Sequence, residues 1–296
     1  MSGGALVLRI VAIVFPVFAV IGVGWLYGRY RRPDMSVANQ LNMDLFVPAL
    51  VFSALAAKSF AIGDHAMLAL AGSVVILGSG LIGWPIARLS GIAPKTLVPP
   101  MMFKNSGNMG IPLIVLTFGD QALPAAVVLF LVENLLHFSL GAWMLDHRVR
   151  MLDLWKNPVM AAGLAGLAVS LGGVALWPPA VTAIRMLGDV SIPLLLFSLG
   201  VRLAQSAFHV WGAGLVGALA TPAAGLAVAI ACRPLLESGQ EAAILLLFGA
   251  LPPAVLNYMF AERYRQEPDK VASIVMTGNV AALAVVSAVL AYILAA

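Results

Sequence analysis

Three groups of polar residues stand inside long apolar stretches of this chain, where a polar side chain needs a reason. Lys104, Asn105, Ser106, Gly107, Asn108, Gly110 and Pro112 form the first group. Pro252, Pro253 and Asn257 form the second, and Glu133 with His137 the third. Two Gly, two Asn and a Pro so close together make a poor helix interior. A helix broken there gains a new N-terminus, with unbonded N–H groups and partial positive charge, which suits an anion. The expected N-termini follow Pro112 and Pro253, because proline fits a first turn whose N–H has no helical partner. Asn105, Ser106, Gly107, Asn108, Gly110, Pro112, Pro252, Pro253 and Asn257 are therefore candidate substrate-binding residues. Lys104, Glu133 and His137 are candidates for charge or proton coupling. Lys104 offers its charge to a carboxylate or takes a coupling cation's place, with Glu133 balancing it; the other reading is a structural ion pair. His137, one turn beyond Glu133 on the same helical face, either relays a proton or packs as a hydrogen-bonded histidine. No Cys/His cluster has metal-ligand spacing, the single Cys232 allows no internal disulfide, and neither cofactor nor metal is expected.

The elements that must position these residues are membrane spans. Of 296 residues, 61% are hydrophobic and only 10% charged, against about 25% charged in a soluble domain. The mean hydropathy is +0.99. Such a chain needs lipid as its solvent. Ten apolar runs are long enough to cross a hydrocarbon core of ~30 Å: 7–28, 37–57, 66–88, 96–118, 122–144, 158–176, 182–203, 210–233, 242–261 and 272–295. The first is too long for a cleaved signal peptide, and many similar segments follow it. Lys104 lies about 12 Å into span 4 from one end and Glu133 about 16 Å into span 5 from the other, so their depths match. Asp44 and Asp189 read as structural groups about two turns inside spans 2 and 7. Asn134 and Asn279 are expected to tie the spans together and to contact the broken backbone.

Orientation follows from the basic residues. Loops after odd-numbered spans hold Arg29, Arg31, Arg32, Arg88, Lys95, Arg148, Arg150, Lys156, Arg202, Arg263, Arg265 and Lys270; the opposite side holds Arg9, Lys58, Arg185 and Arg233. This asymmetry puts both termini outside. An internal repeat accompanies it: Asp44, Pro48, Arg88 and Asn134 recur as Asp189, Pro193, Arg233 and Asn279, all in one register of 145 residues. Five spans per half is an odd number, so the second half enters the membrane inverted, a recurring plan of secondary transporters. Polar groups gathered at one depth favour a carrier over a channel, which would carry a polar stripe or rings of like residues. No Gly-x-Ser-x-Gly or metal motif favours an intramembrane enzyme, and the basic residues lie in short loops rather than in a nucleic-acid footprint.

On the break at 105–112, the Pro252 and Pro253 break with Asn257, the Asn157-Pro158 opening of the second half, and residues 189–200, the chain resembles the auxin efflux carrier family in its bacterial branch. The resemblance covers nearly the whole length. It implies an all-α membrane protein with ten transmembrane helices in two inverted five-helix repeats, 1–145 and 146–296. Helices 4 and 9 would be broken and would cross, a fold shared with bile acid/sodium symporters. It also implies a scaffold of helices 1, 2, 6 and 7, often a dimer contact, and a moving core of helices 3–5 and 8–10. The implied cargo is a small organic acid such as malonate, malate or an auxin-like acid, crossing a bacterial inner membrane with both termini periplasmic. Related symporters bind sodium through acidic side chains near the crossing. Neither break here holds one, and Lys104 disfavours sodium, which points to proton coupling or uniport. An anion channel and a sodium-coupled symporter of the same fold are the alternatives.

Overall fold

The computed structural model describes residues 3–56, 62–147, 157–205 and 210–295. Lys58, Arg148, Arg150 and Lys156, used above for orientation, lie outside the described residues. Among the described residues the fold is all-helical, and six helices there are long and apolar enough to cross a membrane. α1 (Gly3–Arg31) is followed by α2 (Ser36–Leu41), which runs through a wide π turn, Asn42–Phe46, into α3 (Val47–Leu55). α4 (Ala66–Leu89) is continuous. Span 4 is not: α5 (Pro94–Met102) ends, and helix resumes in a π turn, Ser106–Gly110, leading into α6 (Ile111–Phe118). α7 (Leu123–Leu136) continues through another π turn into α8 (Ala142–Leu145).

The second half begins with α9 (Pro158–Leu171), whose Asn157 side chain accepts from the Val159 N–H at 2.9 Å. α9 is shorter than its expected span. Gly173 adopts a left-handed φ of 59°, and the Val174 N–H returns to the Val169 carbonyl, a glycine stop that closes the helix. α10 (Pro178–Gln205), α11 (Trp211–Cys232) and α14 (Pro268–Ala295) are long; α12 (Gly239–Ala250) and α13 (Leu256–Arg263) flank the second interruption. The starts of α4 and α11, α6 and α13, and α7 and α14 are each 145 residues apart, the register of the sequence repeat.

Glycine seams set the closest packing. α1 lies along α10, and a Cβ on Gly200 would stand 2.0 Å from the Ile21 carbonyl oxygen. α11 meets α12 at Gly225 and Gly249, where a Cβ on Gly225 would stand 2.1 Å from the Gly249 carbonyl oxygen. Lipid tails are as apolar as leucine, so helices associate in a bilayer by close approach of small residues rather than by hydrophobic exclusion.

Candidate functional site

The two interruptions meet. The Asn105 N–H donates to the Pro252 carbonyl at 2.7 Å, and the Ala254 N–H donates to the Phe103 carbonyl at 2.9 Å. Lys104 and Pro253 thus form an isolated antiparallel bridge. Non-helical backbone at membrane depth must find partners within the protein, and here each break supplies the other's. Side chains fasten the pair. Asn279 of α14 accepts from Asn105 Nδ2 at 2.7 Å and donates to the Pro253 carbonyl at 3.0 Å. Asn257 Nδ2 donates to the carbonyls of Phe103 and Ala254, each at 3.0 Å.

Helix resumes earlier than expected after the first break, at Ser106 rather than after Pro112. The Asn105 carbonyl accepts from both Met109 and Gly110, which opens the turn to π width. Pro112 then falls in the first α-helical turn, where its missing N–H is tolerated. The same arrangement recurs where the π turn Asn42–Phe46 precedes Pro48. The N–H groups of Ser106, Gly107 and Asn108 take no acceptor among the described residues, nor do those of Val255 and Leu256.

Both of these helix starts line one cavity of about 470 Å³. It reaches from the breaks to the ends of α2 and α10, at Ser36 and Arg202. Among the sequence-derived candidates, Lys104, Asn105, Ser106, Gly107, Asn108, Glu133 and His137 line it. Gly110, Pro112, Pro252, Pro253 and Asn257 do not. A Cβ on Gly110 would stand 2.8 Å from the Leu251 side chain, so this glycine serves close packing.

The charged groups divide in an unexpected way. Lys104 is 1% exposed, and its Nζ donates to the Thr221 carbonyl of α11 at 2.8 Å. No salt bridge joins it to Glu133 among the described residues. Glu133 is 2% exposed; the Ser106 hydroxyl and the Lys104 N–H approach its carboxyl, while Oε2 has no partner. His137 stacks on Phe103 at 4.1 Å between ring centroids and meets Phe260 edge-on. Its Nε2 is buried without a hydrogen-bond partner. At the cavity mouth, outside the membrane, the Ser36 N–H donates to Asp34 Oδ1 and holds that carboxyl below its usual range.

Sequence reading missed Arg202, placing it in a loop. It lies in the last turn of α10, one turn past Ser198, and both line the cavity. The spacing of Leu195, Ser198, Leu199 and Arg202 along one helical face was the available signal. Asn39 and Gln40 of α2 were missed as well. Asn134 lines the cavity and donates to the Phe130 carbonyl of its own helix; its repeat mate Asn279 donates likewise to Val275 and adds the bonds to Asn105 and Pro253. Among the described residues no group of three or more His, Cys, Asp or Glu side chains gathers to hold a metal ion.

A family model described as membrane transport protein matches residues 9–154 and again 145–290. No curated protein matches the chain. The two matches together span nearly all of it, so the chain belongs to the membrane transport protein family, that of the auxin efflux carriers.

Proposed function

We propose that this transporter carries a small organic anion, a carboxylate such as malonate, malate or an auxin-like acid, by alternating access. The observation that carries the reading is the pair of half-helix N-termini, at Ser106 and Leu256, lining one cavity with unbonded N–H groups. A helix N-terminus favours an anion through its N–H groups and its dipole, and two converging on one space bind one ligand better than either alone. Arg202 adds a cation at the opposite end of the cavity.

In this reading ten spans form two inverted repeats, with interrupted spans 4 and 9 crossing at the site. The 145-residue offset between helix starts supports it. The cavity's lining reaches Ser36 and Arg202, on the side that the basic residues mark as cytoplasmic, which supports a conformation open to the cytoplasm with both termini periplasmic. α1, α2, α3, α9 and α10 serve as scaffold, and the remaining helices carry the site. Asp189 and Asp44 are exposed on scaffold helices, about two turns inside their spans, where a charge facing lipid is costly. A homodimer through that face would cover them.

Counterflow of labelled malonate in proteoliposomes tests the function. A carrier accumulates label against preloaded unlabelled malonate; a channel lets it equilibrate. Absence of both malonate and indole-3-acetate counterflow, with purified protein that melts cooperatively, would overturn the organic-anion reading.

A further inference from the structure

Resting on that reading, we propose that the Glu133 carboxyl takes up one proton when an anion settles at the half-helix N-termini and gives it back when the anion leaves. Glu133 lines the cavity, is nearly wholly buried, and keeps one carboxyl oxygen, Oε2, without a partner. Ser106 approaches the same carboxyl and also opens the half-helix whose N–H groups are unbonded. An anion bound by Ser106, Gly107 and Asn108 is therefore a neighbour of Glu133.

Two carboxylates side by side in a site with little water do not both stay ionised. The charges around Glu133 do not remove the conflict. Lys104 is the nearest cation, but its ammonium is engaged by the Thr221 carbonyl on the α11 side. His137, one turn along, is enclosed by Phe103 and Phe260. Arg202 stands at the far end of the cavity, within electrostatic reach of Tyr258 and Glu262. α3, α4, α6, α9 and α12, which pack against α7, bring no titratable side chain to this depth; those of α4 and α12 lie at their ends.

One proton resolves the conflict. It comes from water in the open cavity, neutralises Glu133, and removes the repulsion between its carboxylate and the bound anion. When the site opens to the other side, anion and proton leave together, so a monoanion crosses with no net charge and a dianion such as malonate with one negative charge.

The test uses the full-length protein in detergent, with malonate as probe. The infrared carbonyl band of a protonated carboxyl is followed over pH, with and without malonate. Malonate affinity is measured between about pH 6.5 and 9.5; a one-proton linkage leaves it flat below the titration of the empty site and gives close to a tenfold loss per pH unit above it. The expected result is a band that grows on adding malonate and is missing in Glu133→Gln. The affinity of that variant, whatever its level, no longer varies with pH, and Glu133→Asp restores the slope. A band untouched by Glu133→Gln, or a parental affinity flat over this range, overturns the proposal. If malonate fails to bind while a Glu133-dependent band titrates, the malonate reading and its proton linkage fall together. A band absent in a protein that does bind malonate sinks the linkage alone.

Discussion

Asn105 donates its backbone N–H to the carbonyl of Pro252, 147 residues away, at 2.7 Å. The bond joins the two places where helices stop in mid-protein. With its companion from Ala254 to Phe103, it satisfies backbone groups that lipid could not. It also has a consequence for the site. The carbonyl and N–H groups that face the partner break are used up in the crossing, while the first-turn N–H groups of both half-helices are left over on the cavity side.

Asn279 holds this crossing from α14, so its loss should be felt as stability. Asn279→Ala removes the acceptor of Asn105 Nδ2 and the donor to the Pro253 carbonyl, both buried. The expected cost is about 1–3 kcal/mol, the scale of leaving buried polar groups unpaired. Melting in detergent reads it as a lower Tm, with Asn134→Ala much closer to the parent because Asn134 bonds only within its own helix. Equal shifts for the two would mean that the crossing does not depend on Asn279.

The seam between α1 and α10 gives a packing prediction. Gly200→Ala would put its Cβ against the Ile21 carbonyl and the Trp25 N–H, both backbone, which no side-chain rotation relieves. Overpacking costs about 1–3 kcal/mol or more. Gly22→Ala, on the same helix as Ile21 but with nothing near its Cβ, is expected to melt like the parent. A harmless Gly200→Ala would show that α1 does not approach α10 this closely.

Much of this architecture was legible in the residues because lipid removes alternatives. A poor helix former at membrane depth must be paired or solvated, and residues 103–105 and 251–255, beside Gly107, Asn108 and Pro112 and around Pro252 and Pro253, are not helical. The start of the half-helix was misplaced because a π turn, unlike a proline, has no sequence signature: Asn105 accepting two N–H groups is a matter of backbone geometry. Arg202 was hidden for another reason. Basic residues near span ends usually report topology, and only the face shared with Ser198 distinguishes one that lines a cavity. Whether the Lys104 ammonium turned toward Glu133 or toward α11 depended on where Thr221 lies, 117 residues away, which no local pattern could reveal.

Outside the membrane, Glu267 ties the turn before α14 to the start of α5. It accepts from Thr96 Oγ1 at 2.5 Å and pairs with Lys270. These bonds hold its carboxyl below the usual range. A carboxyl depressed in the folded state contributes stability above its unfolded pKa and loses it as pH falls through the lower folded value. Glu267→Gln is therefore expected to lower Tm at neutral pH by the equivalent of no more than about 1 kcal/mol, since the pair is partly exposed. The difference between variant and parent should shrink in acid, below the ordinary carboxylate range. A difference that stays constant with pH would assign the effect to packing instead.

The two cations of the cavity, Lys104 and Arg202, should separate by what their removal changes. α5 ends just before Lys104, and α12 ends at Ala250, next to the Gly249 that packs on Gly225; helix C-termini carry partial negative charge. The Lys104 ammonium lies among these carbonyls, 2.8 Å from that of Thr221 and so close to Gly225 that a Cβ there would come within 2.7 Å. Lys104→Met keeps the apolar stem and removes the charge. It is expected to cost about 1.5–3 kcal/mol of stability, the scale of a hydrogen bond to a charged group, read as a lower Tm without ligand. Arg202 lines the cavity at its mouth, away from the crossing. Arg202→Ala should weaken malonate binding by no more than a few-fold, about 1 kcal/mol or less for a charge at the far end of a water-filled cavity, with a shallower dependence on salt. Arg202→Lys should recover part of the affinity, because charge is kept while the planar fork is lost. The opposite pattern, a Lys104→Met protein that melts like the parent yet loses malonate, would mean that the buried lysine acts on the anion directly and that Arg202 belongs only to the mouth of the cavity.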